Sequence, residues 1–216
     1  MQETRRTNAE RTLATRTALV AAARELFVDP GYAAASTPQI ATAAHVTRGA
    51  LYHHFADKRE LFRAVVEAEA EAVARQIEER TDAPDAPDAP SKLVEGARAY
   101  LDAMAVPGRT RLLLVDAPAV LGPTESDSLD ARHARRTLRA GLAAALEASP
   151  DGGRAADAAR VGDDVAQDDR LDAMTLLLSA AFDRAALALD GGAPPHAVRA
   201  AVTELVERVC APRPAR

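Results

Sequence analysis

Thr37-Pro38-Gln39-Ile40-Ala41-Thr42-Ala43-Ala44-His45-Val46-Thr47-Arg48-Gly49-Ala50-Leu51-Tyr52-His53-His54-Phe55 is the stretch whose reading decides the fold. Thr37 suits a helix N-cap, and Pro38 fits the first helical position, where a missing N–H costs nothing. Ile40, Ala41 and Ala44 are spaced for one buried helix face. Val46 closes a tight turn from inside. Thr47 then caps a second helix in which Ala50, Leu51 and Phe55 face inward, leaving Thr47, Arg48, Gly49, Tyr52 and His53 outside. That division is what a helix-turn-helix needs, because the N-terminal residues of its second helix reach base edges in the DNA major groove.

On either side the pattern stays helical. A first helix is expected over about Arg11–Phe27, with Leu19, Ala22, Ala23, Leu26 and Phe27 on one face and Pro30-Gly31 as its stop. Asp57 caps a fourth helix, with Glu60 three residues on, and Leu61, Phe62, Val65, Val66, Val73 and Ile77 carry it to about Arg80. Such a helix spans roughly 35 Å.

From about Thr15 to Phe62 the chain resembles the DNA-binding domain of the TetR (tetracycline-repressor-like) family of transcription regulators. The resemblance rests on Glu-Leu-Phe (25–27), Gly-Tyr (31–32), Ile-Ala (40–41), Gly-Ala-Leu-Tyr-His-His-Phe (49–55), Lys58 and Leu61. One departure is His45, where the family's turn usually carries Gly; a positive φ there strains His relative to Gly. The resemblance implies an all-α chain of about nine helices. An N-terminal three-helix helix-turn-helix domain (residues 1–60) would precede a larger effector-binding and dimerisation domain (61–216).

The roles expected at the DNA follow from residue type and position. Thr37 and Gln39 face phosphates. Thr47, Arg48 and Gly49 open the recognition helix, where Arg48 can donate twice to guanine O6 and N7 and Gly49 admits a close backbone approach. Tyr52 and His53 offer donors to phosphate or base edges, and Lys58 adds a phosphate charge. His54 fits either a DNA contact or packing under the turn.

Charge agrees with this division. The whole chain carries −5, but residues 1–63 hold nine Lys/Arg against six Asp/Glu, so the remainder is strongly acidic. Arg5 and Arg6 lie in a polar stretch, residues 1–10, that reads as disordered and suits either a phosphate-touching arm or a solubilising tail. A single cysteine, Cys210, and a polar N-terminus without an apolar run point to the cytoplasm, with no membrane association.

Further helices are expected over about 91–105, 109–116, 125–148, 168–190 and 195–210, with Pro118 stopping the second of them. The Asp-Ala-Pro repeat at 82–90 reads as an extended surface loop, and residues 149–167, rich in Gly, Ala and Asp, as a mobile one. In the last two helices, Leu171, Met174, Leu178, Phe182, Ala185 and Leu189, then Val198, Val202, Leu205 and Val209, recur at helical spacing. Leu176, Leu177, Ala180, Ala181, Ala186 and Leu187 widen the apolar surface beyond one intrachain contact. The family resemblance implies a homodimer through these helices, which would bring two readers to a pseudo-palindromic operator.

The resemblance also places a small-molecule effector in the larger domain. By position its wall would include Tyr100, Leu101, Met104, Leu138, Met174 and Phe182. Few aromatic faces are present, which favours an aliphatic or acyl effector over a flat cationic one. No cofactor, metal site or catalytic constellation is suggested: adjacent His53 and His54 diverge, and His133 and His196 lack partners at ligand spacing. The expected function is a ligand-responsive repressor, with a ligand-independent activator or architectural DNA-binding protein as the alternative.

Overall fold

The computed structural model describes residues 7–82, 88–148 and 161–211, with side chains in the last stretch from residue 166 onward. Every regular element among them is helical. In chain order these are α1 (Asn8–Leu26), α2 (Thr37–Ala43), α3 (Arg48–His54), α4 (Lys58–Thr81), α5 (Ala89–Met104), α6 (Arg109–Arg111), a π-helical segment Leu112–Asp116, α7 (Ala117–Leu121), α8 (Pro123–Arg132), α9 (Ala134–Glu147), α10 (Val161–Asp190) and α11 (Pro195–Cys210).

Two compact units emerge. One comprises the chain up to Glu69 together with Arg111–Ser126; the other comprises Ala70–Thr110 and the chain from Asp127. The first unit therefore takes in α4 as far as Glu69 and a segment recruited from later in the chain. Arg59 holds that segment, donating to Leu121 O at 2.9 Å and to Glu125 at 2.8 Å, and Arg63 also pairs with Glu125. Gly31, at φ +105°, lets the Arg111 guanidinium come close: a Cβ there would lie 3.4 Å from Nη2.

The first unit is built around aromatic rings. Phe27, Tyr32 and Phe62 form a triangle with centroids 5.5, 5.2 and 4.8 Å apart, and Leu19, Ile40, Leu51 and Leu61 close round it without exposure. Helix α1 begins at Asn8 rather than Arg11. Thr7 and Glu10 form a reciprocal capping box, so residues 7–10 are ordered where the polar composition suggested otherwise. The proposed arm residues Arg5 and Arg6 lie outside the described residues. As expected, α1 ends ahead of Pro30-Gly31, through a wide turn, Phe27–Gly31, in which Asp29 leaves helical geometry at φ −145°.

The cap of α2 is Ser36, not Thr37. Ser36 accepts from the Gln39 N–H and Gln39 reaches back to the Ser36 N–H, which moves Thr37 and Pro38 into the first helical turn. Pro38 needs no partner at either position. Pro118 likewise does not stop a helix. It sits in the first turn of α7, which runs on to Leu121 and ends at Gly122, φ +88°. The π-helical turn before it absorbs the missing donor.

In the second unit α5 packs on α9, α10 and α11. Leu93, Leu101, Met104, Leu142, Leu178, Phe182, Val202 and Val206 supply the buried contacts. Helix α5 starts within the Asp-Ala-Pro repeat: Asp88 is its N-cap, accepting from Ser91 N at 2.7 Å, with Pro90 in the first turn. Residues 83–87 of the repeat lie outside the described residues, as do 149–160 of the expected loop. Arg109 and Thr110 satisfy the carbonyls of Ala103 and Met104 that end α5, at 2.7 and 2.8 Å. The helix expected over 125–148 is two helices, broken where His133 adopts φ −116°, ψ −102°. Helix α10 begins at Val161, earlier than residue 168.

Candidate nucleic-acid interface and ligand cavity

The turn between α2 and α3 is a Schellman motif. The His45 N–H donates to Thr42 O at 3.1 Å and the Val46 N–H to Ala41 O at 3.0 Å, with His45 left-handed at φ +55°. Val46 is half-buried under it. Thr47 accepts from the Ala50 N–H at 3.1 Å and so starts α3. Leu51 and Phe55 are buried to 0% and 1% exposure, which fixes the rotation of α3 and leaves Tyr52 45% exposed on the opposite side.

Arg48, Gly49, Tyr52 and His53 share that outer side with Thr47; His54 is half-buried. Tyr52 is positioned by Thr37, whose hydroxyl lies 3.0 Å from the phenol oxygen, and the Arg48 guanidinium stands 5.9 Å from the Tyr52 ring centre. The Thr37 hydrogen bond, then Arg48, hold the Tyr52 phenol below its ordinary range. At Gly49 an added Cβ would meet only Thr47 Oγ1, at 3.9 Å, so nothing within the chain requires glycine there.

Two of the expected phosphate contacts have internal work instead. The Gln39 amide oxygen is held by the Ser36 N–H and hydroxyl at 3.0 and 2.7 Å. Lys58 turns back to donate to Tyr32 O at 2.8 Å and Ala35 O at 3.0 Å, over the Tyr32 ring. Two of its three donors are taken, so Lys58 braces the segment leading into α2. One exposed cation was not foreseen: Arg16 of α1, whose guanidinium lies 5.0 Å over the ring of Phe55, the C-cap of α3.

The second unit holds a cavity of about 280 Å³ among α4, α5, α9 and α10. Of the residues expected on an effector wall, Tyr100, Leu138 and Phe182 line it; Leu101, Met104 and Met174 do not. Along α5 the wall runs from Ala89 only to Tyr100, and α10 contributes only Ser179 and Phe182, so both methionines lie beyond its ends. Sequence reasoning missed Ile77, Leu93, Gly96 and Gly141 on the wall. The two glycines, isolated within helices, were the available signal: a Cβ at Gly141 would stand 3.2 Å from Leu93 Cδ1, and one at Gly96 3.4 Å from Thr81 Cγ2. Behind the wall Tyr100 donates to Asp183 at 2.5 Å.

An exposed, capped second helix behind a Schellman turn is the geometry of a helix-turn-helix. The family profile for bacterial regulatory proteins of the tetR family matches residues 19–65, and the tetracyclin repressor-like C-terminal domain matches residues 90–150. The chain belongs to the TetR family of transcriptional regulators, DNA-binding proteins rather than enzymes. It is 29% identical over 115 residues to the transposon Tn10 TetC protein of Escherichia coli, a match covering 53% of this chain and 57% of that protein. Over 62 residues it is 42% identical to the HTH-type transcriptional repressor BepR of Brucella suis, 29% of either chain. The chain thus matches little more than half the length of the first relative and under a third of the second. A crystal structure of a TetR-family transcriptional regulator from Pectobacterium atrosepticum superposes with a TM-score of 0.63 at 28% identity, covering 94% of this chain and 95% of that one.

Proposed function

We propose that the protein is a homodimeric repressor that holds a pseudo-palindromic operator and releases it when a small, largely apolar effector fills the cavity. The observation that carries the DNA reading is the rotation of α3: Leu51 and Phe55 are buried while Arg48 and Tyr52 stand outside. Thr37, Thr47, Gly49 and His53 complete the contact surface, with Gln39 reaching phosphate only through its free amide nitrogen. Lys58 acts by bracing rather than by contact.

The dimer reading rests on apolar surface that the chain itself leaves uncovered. Leu176, Leu177 and Leu205 on α10 and α11 are 52%, 71% and 38% exposed. Leu178, Phe182, Ala185 and Val202, on the expected seam, are instead buried within the chain. Regulation is assigned to α4. Its first residue follows the recognition helix closely, and its last turns put Ile77, Glu78 and Thr81 on the cavity wall. A ligand that favours one setting of α4 shifts the spacing of paired recognition helices away from the roughly 34–36 Å of one DNA turn.

The test is selection of binding sites from a random DNA pool by the full chain and by Arg48→Ala. The wild type is expected to enrich a two-fold related sequence, and the variant, equally folded, to lose preference at one base pair per half-site. No enrichment, or identical enrichment by both proteins, refutes the assignment.

A further inference from the structure

The cavity's wall has two characters. Ile77, Leu93, Ala97, Leu138, Ala144 and Phe182 make it largely aliphatic. Its exposed rim carries Lys92 and Arg136 but also Glu78 and Asp82, and Arg136 pairs with Glu78 at 2.7 Å, so the rim offers no net charge to an anion. Away from that rim the polar side chains of the wall are hydroxyls: half-buried Thr81 and Thr137, which donate to Ile77 O at 3.0 Å and Ala134 O at 2.8 Å, and Tyr100 and Ser179, each 7% exposed. Their hydroxyl hydrogens are committed elsewhere: Tyr100 donates to Asp183 at 2.5 Å, and Ser179 makes a longer contact to Asp130 at 3.4 Å. A hydroxyl has one hydrogen, so these groups have only lone pairs left for a ligand. Behind Tyr100 and Ser179, Asp183 and Asp130 face one cation among the interactions described, Arg135, which bonds Asp130 at 2.8 Å and the exposed Asp127 at 2.6 Å. An anionic head would meet lone pairs backed by surplus negative charge; a donor, best a cation, meets its complement.

We propose that this cavity takes a small amphiphile with an aliphatic body and a hydrogen-donating cationic head, the alkylammonium class, with the head at Tyr100 and Ser179. The assignment rests on the effector-pocket reading above and narrows it, excluding the free acyl carboxylate among aliphatic effectors.

The probes are octylamine, octanol and octanoate, titrated calorimetrically into the full chain at pH 7.5, with operator affinity followed alongside. Octylamine is expected to bind roughly tenfold or more tighter than octanoate, with octanol between them, and to loosen the operator. Asp183→Asn should remove most of the advantage of the amine over octanol and leave octanol binding unchanged. The fold should survive this change: burial raises the Asp183 carboxyl to about 6, so its ionisation opposes folding above that pH.

The wild type supplies a second readout that needs no variant. From pH 7.5 to 5.5 the amine stays charged while Asp183 takes up a proton, and burial raises Asp130 as well. The groups facing Asp183 are Tyr100 of α5, Asp130 of α8 and Arg135 of α9, and none of them restores negative charge on acidification. The amine's advantage should therefore shrink. Octanoate binding as well as octylamine, or an amine advantage indifferent to both Asp183→Asn and pH, overturns the proposal. If octanol or octanoate releases the operator while octylamine does not, the pocket reading stands and the head-group assignment falls. If none of the three binds, or binding leaves operator affinity untouched, both readings fall.

Discussion

Phe27, Phe55 and Phe62, with Tyr32 and Tyr52, all belong to the first unit; the second, much larger in sequence, has Tyr100 and Phe182. The first packs Phe27, Tyr32 and Phe62 ring against ring in its core and turns Tyr52 outward. The second lines helices with alanine and glycine, and where Leu93 meets Gly141 and Thr81 meets Gly96 the backbones approach while a hollow of about 280 Å³ remains beside them. A densely filled core has one arrangement of its helices, which suits a unit that must present side chains at fixed positions. A core with a void gains stability when something fills it, which suits a unit whose state depends on a ligand.

The largest effect should come from emptying the dense unit. Phe62 is fully buried and touches both Phe27 and Tyr32. Phe62→Ala is expected to cost about 3–5 kcal/mol of folding stability. Denaturant unfolding measures it, and a cost below about 1 kcal/mol would show that this unit is no better packed than the hollow one. The reverse experiment belongs to the second unit. Gly141→Ala pushes on Leu93 across the cavity wall, and it should weaken ligand binding more than it changes stability.

Next in size is the exposed face of α10 and α11. Leu205→Glu places a charge where the proposed partner subunit lies, and both copies carry it, so association should weaken by roughly 3 kcal/mol or more. Sedimentation at micromolar concentration should then show folded monomers. A wild type that already sediments as a monomer refutes the dimer. Leu178→Glu is not an equivalent test: Leu178 is 4% exposed within its own chain, and this change attacks the fold.

The two units also differed in how far their sequence could be read. In the first, local chemistry decides structure: the Thr47 cap, the Asp57 cap and the Pro30-Gly31 stop all fall where residue type puts them. The slip at the start of α2, Thr37 for Ser36, came from two adjacent residues that cap equally well, with Gln39 deciding between them only by completing the box. In the second, the seam of α10 was periodic but its direction was not legible. Helical spacing gives Leu176, Leu177 and Leu178 with nothing to say which faces α5 and which faces out. Met104 and Met174 failed as wall residues for the same reason. A cavity's ends are set by where neighbouring helices cross, information that no single helix carries. The bracing role of Lys58 was not legible because its partners, at Tyr32 and Ala35, are backbone carbonyls, to which any sequence is blind.

A smaller effect tests the outer side of α3. Arg48→Ala should cost about 1–3 kcal/mol of specific operator binding if the guanidinium reads a base. Tyr52→Phe, which loses the Thr37 contact but keeps the ring, should weaken binding with little change in sequence preference. Fluorescence anisotropy on matched and scrambled operators separates the two. Equal losses on both DNA sequences would reassign Arg48 to phosphate.

The smallest effect concerns the turn itself, where His45 is the non-glycine residue with positive φ among the described residues. His45 holds φ +55° at the position after the α2 cap, where the Schellman hydrogen bonds require a left-handed residue. A side chain there carries a steric penalty of roughly 1–2 kcal/mol that glycine avoids. Glycine in turn costs about 0.5–1 kcal/mol through the greater freedom of the unfolded chain. The difference leaves His45→Gly stabilising by roughly 0.5–1 kcal/mol. His45 is exposed, so no buried contact is lost with the imidazole. The same substitution should leave operator affinity unchanged, because the hydrogen bonds that set the angle between α2 and α3 are backbone bonds and survive it. Thermal unfolding and operator titration on the one variant decide the matter. A stabilised protein with altered DNA affinity would mean that His45 reaches the DNA, and a destabilised one would mean that the imidazole supports the turn.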